Sequence, residues 1–172
     1  MTPFRLEPLG PDHDRAAFHC GEEALDRYFQ TQVTQDTRRR AARCFVAVET
    51  DTGRITGFYT LSAAGLSLED LPPDALKHLP RYPMCPAVRI GRLAVDHRFR
   101  KRGIGEALLG DAAARFAESD VAAPLLLVDA KNEQVATFYQ RYGFRPMPGA
   151  PRTLFLTYAT ARKTLLQHRG SE

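Results

Sequence analysis

The chain has 172 residues, 44% of them apolar and 26% charged, with a net charge of +4. That length fills one hydrophobic core and is short for two, and the composition is that of a globular protein. The opening MTPFRLEPLG lacks the apolar run of a secretion signal, and no segment reaches the roughly 18–20 apolar residues of a membrane span. The expectation is a cytoplasmic, single-domain protein over residues 1–172 that makes no membrane contact. Cys20, Cys44 and Cys85 are far apart and form no CxxC pair, so buried, reduced thiols are expected, with no metal site and no disulfide framework.

In chain order, residues 22–38 predict a helix with Leu25, Tyr28, Phe29, Gln32 and Val33 near one face. A basic group follows at Arg38, Arg39, Arg40 and Arg43. Cys44–Thr50 and Arg54–Ala63 predict two strands, joined as a hairpin by the turn Asp51-Thr52-Gly53. Residues 66–86 are rich in proline and predict an irregular, partly helical excursion. Val88–Asp96 alternates and predicts a strand. A second basic group lies at Arg98, Arg100, Lys101 and Arg102, and Ile104, Leu108, Ala112 and Phe116 then recur at helical spacing. Leu125–Ala130 predicts a buried strand. Asn132 predicts a helix cap, and the helix it opens carries Val135, Ala136, Tyr139 and Tyr142 before Gly143 ends it. Phe144 and Thr153–Tyr158 predict closing strands. The fold class is α/β, a mixed central sheet with helices on its faces.

The sharpest local feature is Arg100-Lys101-Arg102-Gly103-Ile104-Gly105, between a predicted strand and a predicted helix. A helix start leaves backbone N–H groups without partners and carries partial positive charge. Glycine lets a phosphate come close to the backbone, and three basic side chains flank the same turn. The assembly suits a pyrophosphate. It is neither a P-loop nor the three-glycine dinucleotide pattern.

The run R-x-x-G-x-G at Arg100, Gly103 and Gly105 resembles the acetyl-coenzyme A signature of the GNAT acetyltransferase superfamily. The second half of that pattern is also present in VDAKNEQVATFYQRYGF, Val128 to Phe144. The resemblance implies a GNAT fold whose co-substrate is acetyl-coenzyme A. It implies that the backbone of Leu93, Ala94 and Val95 holds the pantetheine arm. Arg100, Lys101, Arg102, Gly103, Ile104, Gly105 and Glu106 would hold the pyrophosphate, and Asn132 joins them as a coenzyme-binding residue. The chain further resembles the acetyltransferase toxins of type II toxin–antitoxin systems through FHCGEEALDRYF at 18–29, GFYTLS at 57–62 and GRLAVD at 91–96. That resemblance implies acetylation of aminoacyl-tRNA with arrest of translation, a ribbon-helix-helix antitoxin and a homodimer.

Acetyl transfer develops an oxyanion and expels a thiolate. A backbone N–H of Leu93–Val95 is suited to polarise the carbonyl. By resemblance Tyr139 is the general acid, protonated at neutral pH and able to donate to the departing sulfur. No general base is evident. A lysine amine, with a pKa near 10.4, is almost wholly protonated at pH 7, whereas an α-amine near 7.7–8 needs little help. Arg38, Arg39, Arg40 and Arg43, with Arg89 and Arg92, are the candidates to hold RNA phosphates. Two alternatives stand beside this reading: a GNAT enzyme acting on a protein or small-molecule amine, and a non-enzymatic coenzyme- or RNA-binding module.

Overall fold

The computed structural model describes residues 3–169, with side chains described up to residue 164. Its strands form one mixed seven-stranded sheet in the order β1-β2-β3-β4-β5-β7-β6. These are β1 (Phe4–Pro8), β2 (Arg43–Glu49), β3 (Ile55–Ser67), β4 (Met84–Val95), β5 (Leu125–Asp129), β6 (Arg145–Met147) and β7 (Ala150–Thr157). The chain packs as two compact units: the chain up to Ser62 with Gly91–Ala112, and Ala63–Ile90 with the chain from Ala113 onward.

In the first unit β1 pairs antiparallel with β2, and β2 with β3. The β2–β3 hairpin closes through Gly53 at φ +74, whose amide donates to the Glu49 carbonyl at 2.8 Å. This is the turn that Asp51-Thr52-Gly53 predicts. The predicted helix 22–38 is present but not uniform. Helix α1 (Glu23–Arg27) runs through a π-helical turn (Tyr28–Gln32) into α2 (Val33–Arg38). The wider turn alters the buried face: Tyr28, Phe29 and Val33 are buried and Leu25 half-buried, while Gln32 is exposed and Asp26 is buried instead. Phe29 stacks on Phe58 with centroids 4.2 Å apart, and Phe18 meets both rings edge-on at 5.0 and 5.4 Å. Burying each such ring contributes about 2–3 kcal/mol.

Helix α3 (Ile104–Glu118) begins in the first unit. All four residues that predict it, Ile104, Leu108, Ala112 and Phe116, are buried. Gly57 explains how closely its first turns approach the sheet. A Cβ at that position would lie 2.8 Å from the Leu108 side chain, 3.0 Å from the Ala94 carbonyl and 3.1 Å from the Ile104 side chain.

In the second unit β4 runs parallel to β5 from Ala87↔Leu125 to Ile90↔Val128, and β5 is antiparallel to β7. Leu125–Val128 are all essentially inaccessible, as a strand covered on both faces requires. The proline-rich excursion contains two short 3₁₀ turns, Leu68–Asp70 and Ala75–His78. Leu71, Ala75 and Cys85 from this region pack with Leu125, Leu127 and Phe155. Strand β4 starts at Met84, four residues before the expected Val88. Helix α4 (Glu133–Arg141) buries Ala136 and Tyr139 and half-buries Val135, but Tyr142 lies past its end and is exposed. The expected strand through Tyr158 instead stops at Thr157, where helix α5 (Tyr158–Arg169) starts. No described helix is long and apolar enough to cross a membrane.

Candidate active site

The Arg100–Gly105 loop of the first unit is organised by Asp96, the last residue of GRLAVD, to which the sequence assigned no role. Asp96 follows β4 and is wholly buried. Its carboxylate accepts from the His19 amide at 3.1 Å, the Arg98 amide at 2.9 Å, and the Arg98 Nε and Nη2 at 3.0 Å each. Burial pushes this carboxyl up, but the bonds from Arg98 and His19 outweigh it and hold the group below its ordinary value. Arg98 also donates to the Ala17 carbonyl, the His97 amide donates to the His19 carbonyl, and Arg100 donates to the Cys20 carbonyl. The segment Ala17–Cys20 is thereby locked to the start of the loop. The only sequence signal for this clamp is the joint presence of FHCG and LAVD, since neither half holds it alone.

The pattern FHCGEEALDRYF follows from this packing. Phe18, Cys20, Tyr28 and Phe29 are core residues. Asp26 accepts from the Cys20 amide at 2.8 Å, folding the segment back on its own helix. Gly21 has φ +96, and a Cβ there would crowd an Arg100 nitrogen at 3.0 Å. A cleft of about 620 Å³ opens alongside, lined by His19, Gly21, Asp26, Gln30 and His97 among others. Burial pushes Cys20 up to about 11 and Cys44 up to about 12, so both remain thiols at neutral pH.

Beyond the clamp, Lys101 and Gly103 both take left-handed backbone, at φ +62 and +78. Lys101, Arg102 and Gly103 are exposed, and α3 begins at Ile104 with its first bond from the Ala107 amide to the Gly103 carbonyl at 3.1 Å. The amides of Ile104, Gly105 and Glu106 thus precede the helical ladder and suit an anion. Open space at Gly103, where a Cβ would meet nothing nearer than a Glu106 carboxylate oxygen at 3.8 Å, completes a cradle that fits a pyrophosphate. Glu106 suits this place through its amide; its carboxylate complements the helix dipole and would repel a phosphate. Arg100 and Arg102, two of the three basic residues flanking the turn, also have partners within the chain. Arg100 is tied to Cys20, and Arg102 lies over the Phe99 ring at 5.4 Å.

The β4 stretch Leu93–Val95 lies past Ile90, the last residue of the register with β5. Leu93 and Val95 are half-buried and Ala94 is buried. In the second unit, the Asn132 side-chain oxygen caps α4 by accepting from the Val135 amide at 2.9 Å. Tyr139 is buried, packed against Phe138 and Phe144. Burial and then the charge of Asp129 push its phenol up to about 12, so it holds its proton throughout the neutral range.

The six arginines proposed for RNA divide into two sets. Arg38, Arg39, Arg40 and Arg43 are all exposed around the end of α2 and the start of β2, with Arg43 also 5.2 Å from the centroid of the Phe45 ring. Arg89 and Arg92 are engaged: Arg89 pairs with Asp129, and Arg92 lies 3.6 Å over the Tyr28 ring. In the sequence both resemble phosphate-holding cations because their partners lie far away along the chain.

The acetyltransferase (GNAT) domain model matches residues 40–146. Over 170 residues the chain is 32% identical to the "Probable toxin TacT" of Sinorhizobium fredii, covering 93% of this chain and 94% of that protein. It is 30% identical over 151 residues to the tRNA-acetylating toxin of Mycobacterium tuberculosis, covering 87% and 89% of the two chains. Among solved structures, AtaT complexed with acetyl-methionyl-tRNAfMet superposes with a TM-score of 0.86 at 28% identity, over 95% of this chain and 99% of that one. AtaTR bound with acetyl-coenzyme A gives 0.82 at 28% identity, over 96% and 99%. A tyrosine-to-phenylalanine mutant of AtaT bound to the C-terminus of the antitoxin AtaR gives 0.80 at 26% identity, over 94% and 97%. The chain belongs to the GNAT acetyltransferase family.

Proposed function

We propose that this acetyltransferase moves acetyl from acetyl-coenzyme A to the α-amine of aminoacyl-tRNA, acts as the toxin of a type II toxin–antitoxin system, and so arrests translation. One observation carries the reading: the toxin-like segment Phe18–Phe29 is fastened to the coenzyme loop through Asp96 at His19 and Arg100 at Cys20, with Arg98 holding the adjoining Ala17 carbonyl. The relatives supply the acceptor, since one is a tRNA-acetylating toxin and another is complexed with acetyl-methionyl-tRNA.

Acetyl-coenzyme A supplies the activated acetyl thioester. The exposed turn Lys101–Gly103 and the first amides of α3 hold its phosphates, and Leu93–Val95 offers backbone groups to its arm and an N–H to the carbonyl as charge develops. Tyr139 keeps its proton through the neutral range and donates it to the departing sulfur. An esterified α-amine is neutral often enough at pH 7 to attack without a dedicated base; the proton it loses goes to solvent, and solvent returns one to Tyr139, so the thiol leaves and the enzyme is unchanged. The exposed Arg38, Arg39, Arg40 and Arg43 receive RNA phosphates. In this reading the whole chain works as one acetyltransferase domain, a homodimer in the cytoplasm, silenced by a ribbon-helix-helix antitoxin.

The test is incubation with labelled acetyl-coenzyme A and either a charged or an uncharged tRNA pool. Label is expected on the charged pool alone, and it should leave with the amino acid on mild alkaline hydrolysis. Label on uncharged tRNA, or on lysine peptides in preference to charged tRNA, overturns the reading in favour of a protein or small-molecule acceptor.

A further inference from the structure

Arg92 stands on β4 immediately before Leu93–Val95. Its guanidinium carbon lies 3.6 Å from the centroid of the Tyr28 ring, the thickness of a stacked pair. The ring is held by its hydroxyl and the arginine by its main chain. The Arg92 amide donates to the Oγ1 of the buried Thr60 at 3.1 Å, and the Tyr28 hydroxyl donates to an Asp36 carboxylate oxygen at 2.8 Å. Tyr28 opens the π-helical turn and is itself buried, and burial with the Asp36 bond pushes its phenol above the ordinary range, so the O–H stays a donor. Arg92 remains half-buried.

A guanidinium laid on an aromatic ring is a rigid charged plane, and what it offers a ligand is its other face. Faces of this kind take unstacked nucleobases, whereas phosphates are met by flexible, exposed cations. Arg38, Arg39 and Arg40 are exposed charges of the second kind, Arg43 is exposed but lies 5.2 Å from the Phe45 ring, and Arg92, half-buried and 3.6 Å from the Tyr28 ring, is of the first. From Arg92 to Ala94 is two strand residues, roughly 7 Å. In an aminoacyl nucleoside the amine and the base are separated by one ester and one ribose, a span of the same order.

We propose that Arg92, backed by Tyr28, is the stacking platform for the nucleobase of the terminal, aminoacylated nucleotide of the RNA acceptor. The proposal rests on the aminoacyl-tRNA reading above and assigns a recognition residue to it. The enzyme then reads two features of the acceptor end, the α-amine and the base.

Two small acceptors separate these features: the methionyl ester of adenosine, and methionine methyl ester, which has the same amine and no base. The readout is the ratio of their kcat/KM values, in which any general loss of activity cancels. The wild-type ratio is expected to favour the adenosine ester by on the order of tenfold or more. Arg92→Lys keeps the charge but loses the plane, and its ratio should fall toward one. Tyr28→Leu, which removes the backing ring, should do the same, while Tyr28→Phe should keep most of the preference. A wild-type ratio near one, or a preference that survives Arg92→Lys, overturns the platform while leaving acetylation of charged tRNA intact. No acetylation of either ester or of charged tRNA overturns the aminoacyl-tRNA reading and this proposal with it.

Discussion

Arg100 donates a hydrogen bond to the main-chain carbonyl of Cys20, eighty residues earlier in the chain. A residue that in the sequence reads as one of three basic groups flanking a phosphate loop is also the bolt that fastens the N-terminal segment to that loop. The same clamp includes Asp96 and Arg98, so Ala17–Cys20 and the start of the loop are held as one piece.

Gly103 tests the cradle. Its φ of +78 costs an L-residue roughly 1–2 kcal/mol, and a branched side chain would also fill the space open to a phosphate. Gly103→Val should stay folded by circular dichroism and lose at least tenfold in acetyl-coenzyme A affinity by calorimetry. Undiminished binding would remove the loop from the coenzyme site.

Tyr139→Phe keeps the ring against Phe138 and Phe144 but deletes the proton donor. The expected loss in kcat is ~10²–10⁴-fold with the coenzyme Kd unchanged. Because burial, and then the charge of Asp129, hold this phenol up to about 12, its deprotonation should leave the rate untouched up to pH 10. Wild-type kcat/KM should rise as the acceptor amine loses its proton and show no descending limb up to pH 10. A wild-type kcat in the variant would make Tyr139 a packing residue.

Asp96→Asn keeps the shape of the clamp but removes its charge. Without the charge-assisted bonds in this buried setting, the variant should be about 2–4 kcal/mol less stable in thermal or denaturant unfolding. The folded-state pKa of Asp96 lies below its ordinary 3.8, so its contribution is complete above that value and fades as the pH falls through the folded one. The gap between wild type and variant should therefore be constant from pH 5 to 8 and narrow below about pH 4. A gap that widens in acid contradicts the assignment.

Neutralising Arg38, Arg39, Arg40 and Arg43 together to Gln should weaken charged-tRNA binding and leave coenzyme binding unchanged. Each RNA phosphate that the variant no longer neutralises lowers the steepness of log K against log salt by roughly 0.7–1. Titrations at several salt concentrations would check this; an unchanged slope would place the RNA elsewhere.

Several parts of the molecule are legible in the sequence because their signals are local. Ile104, Leu108, Ala112 and Phe116 repeat at a helix's own spacing and are all buried. Asn132 caps the helix it precedes, and Gly143, at φ +95, ends it. The run Leu125–Val128 is a covered strand. The short β1, and α5, whose apolar pattern is weak, carry no comparable local signal and emerge only in the folded chain. The sequence therefore determined the order of the principal elements, the loop glycines and the family, through residues whose neighbours are at most a few turns away. The tertiary structure alone decided what the charged residues do. Asp96 meets His19, Arg92 meets Tyr28, Arg89 meets Asp129 and Arg100 meets Cys20 across 40 to 80 positions. A long charged side chain can face solvent, a carboxylate or a ring at similar local cost, and the packed fold selects among them by placing a distant partner within reach.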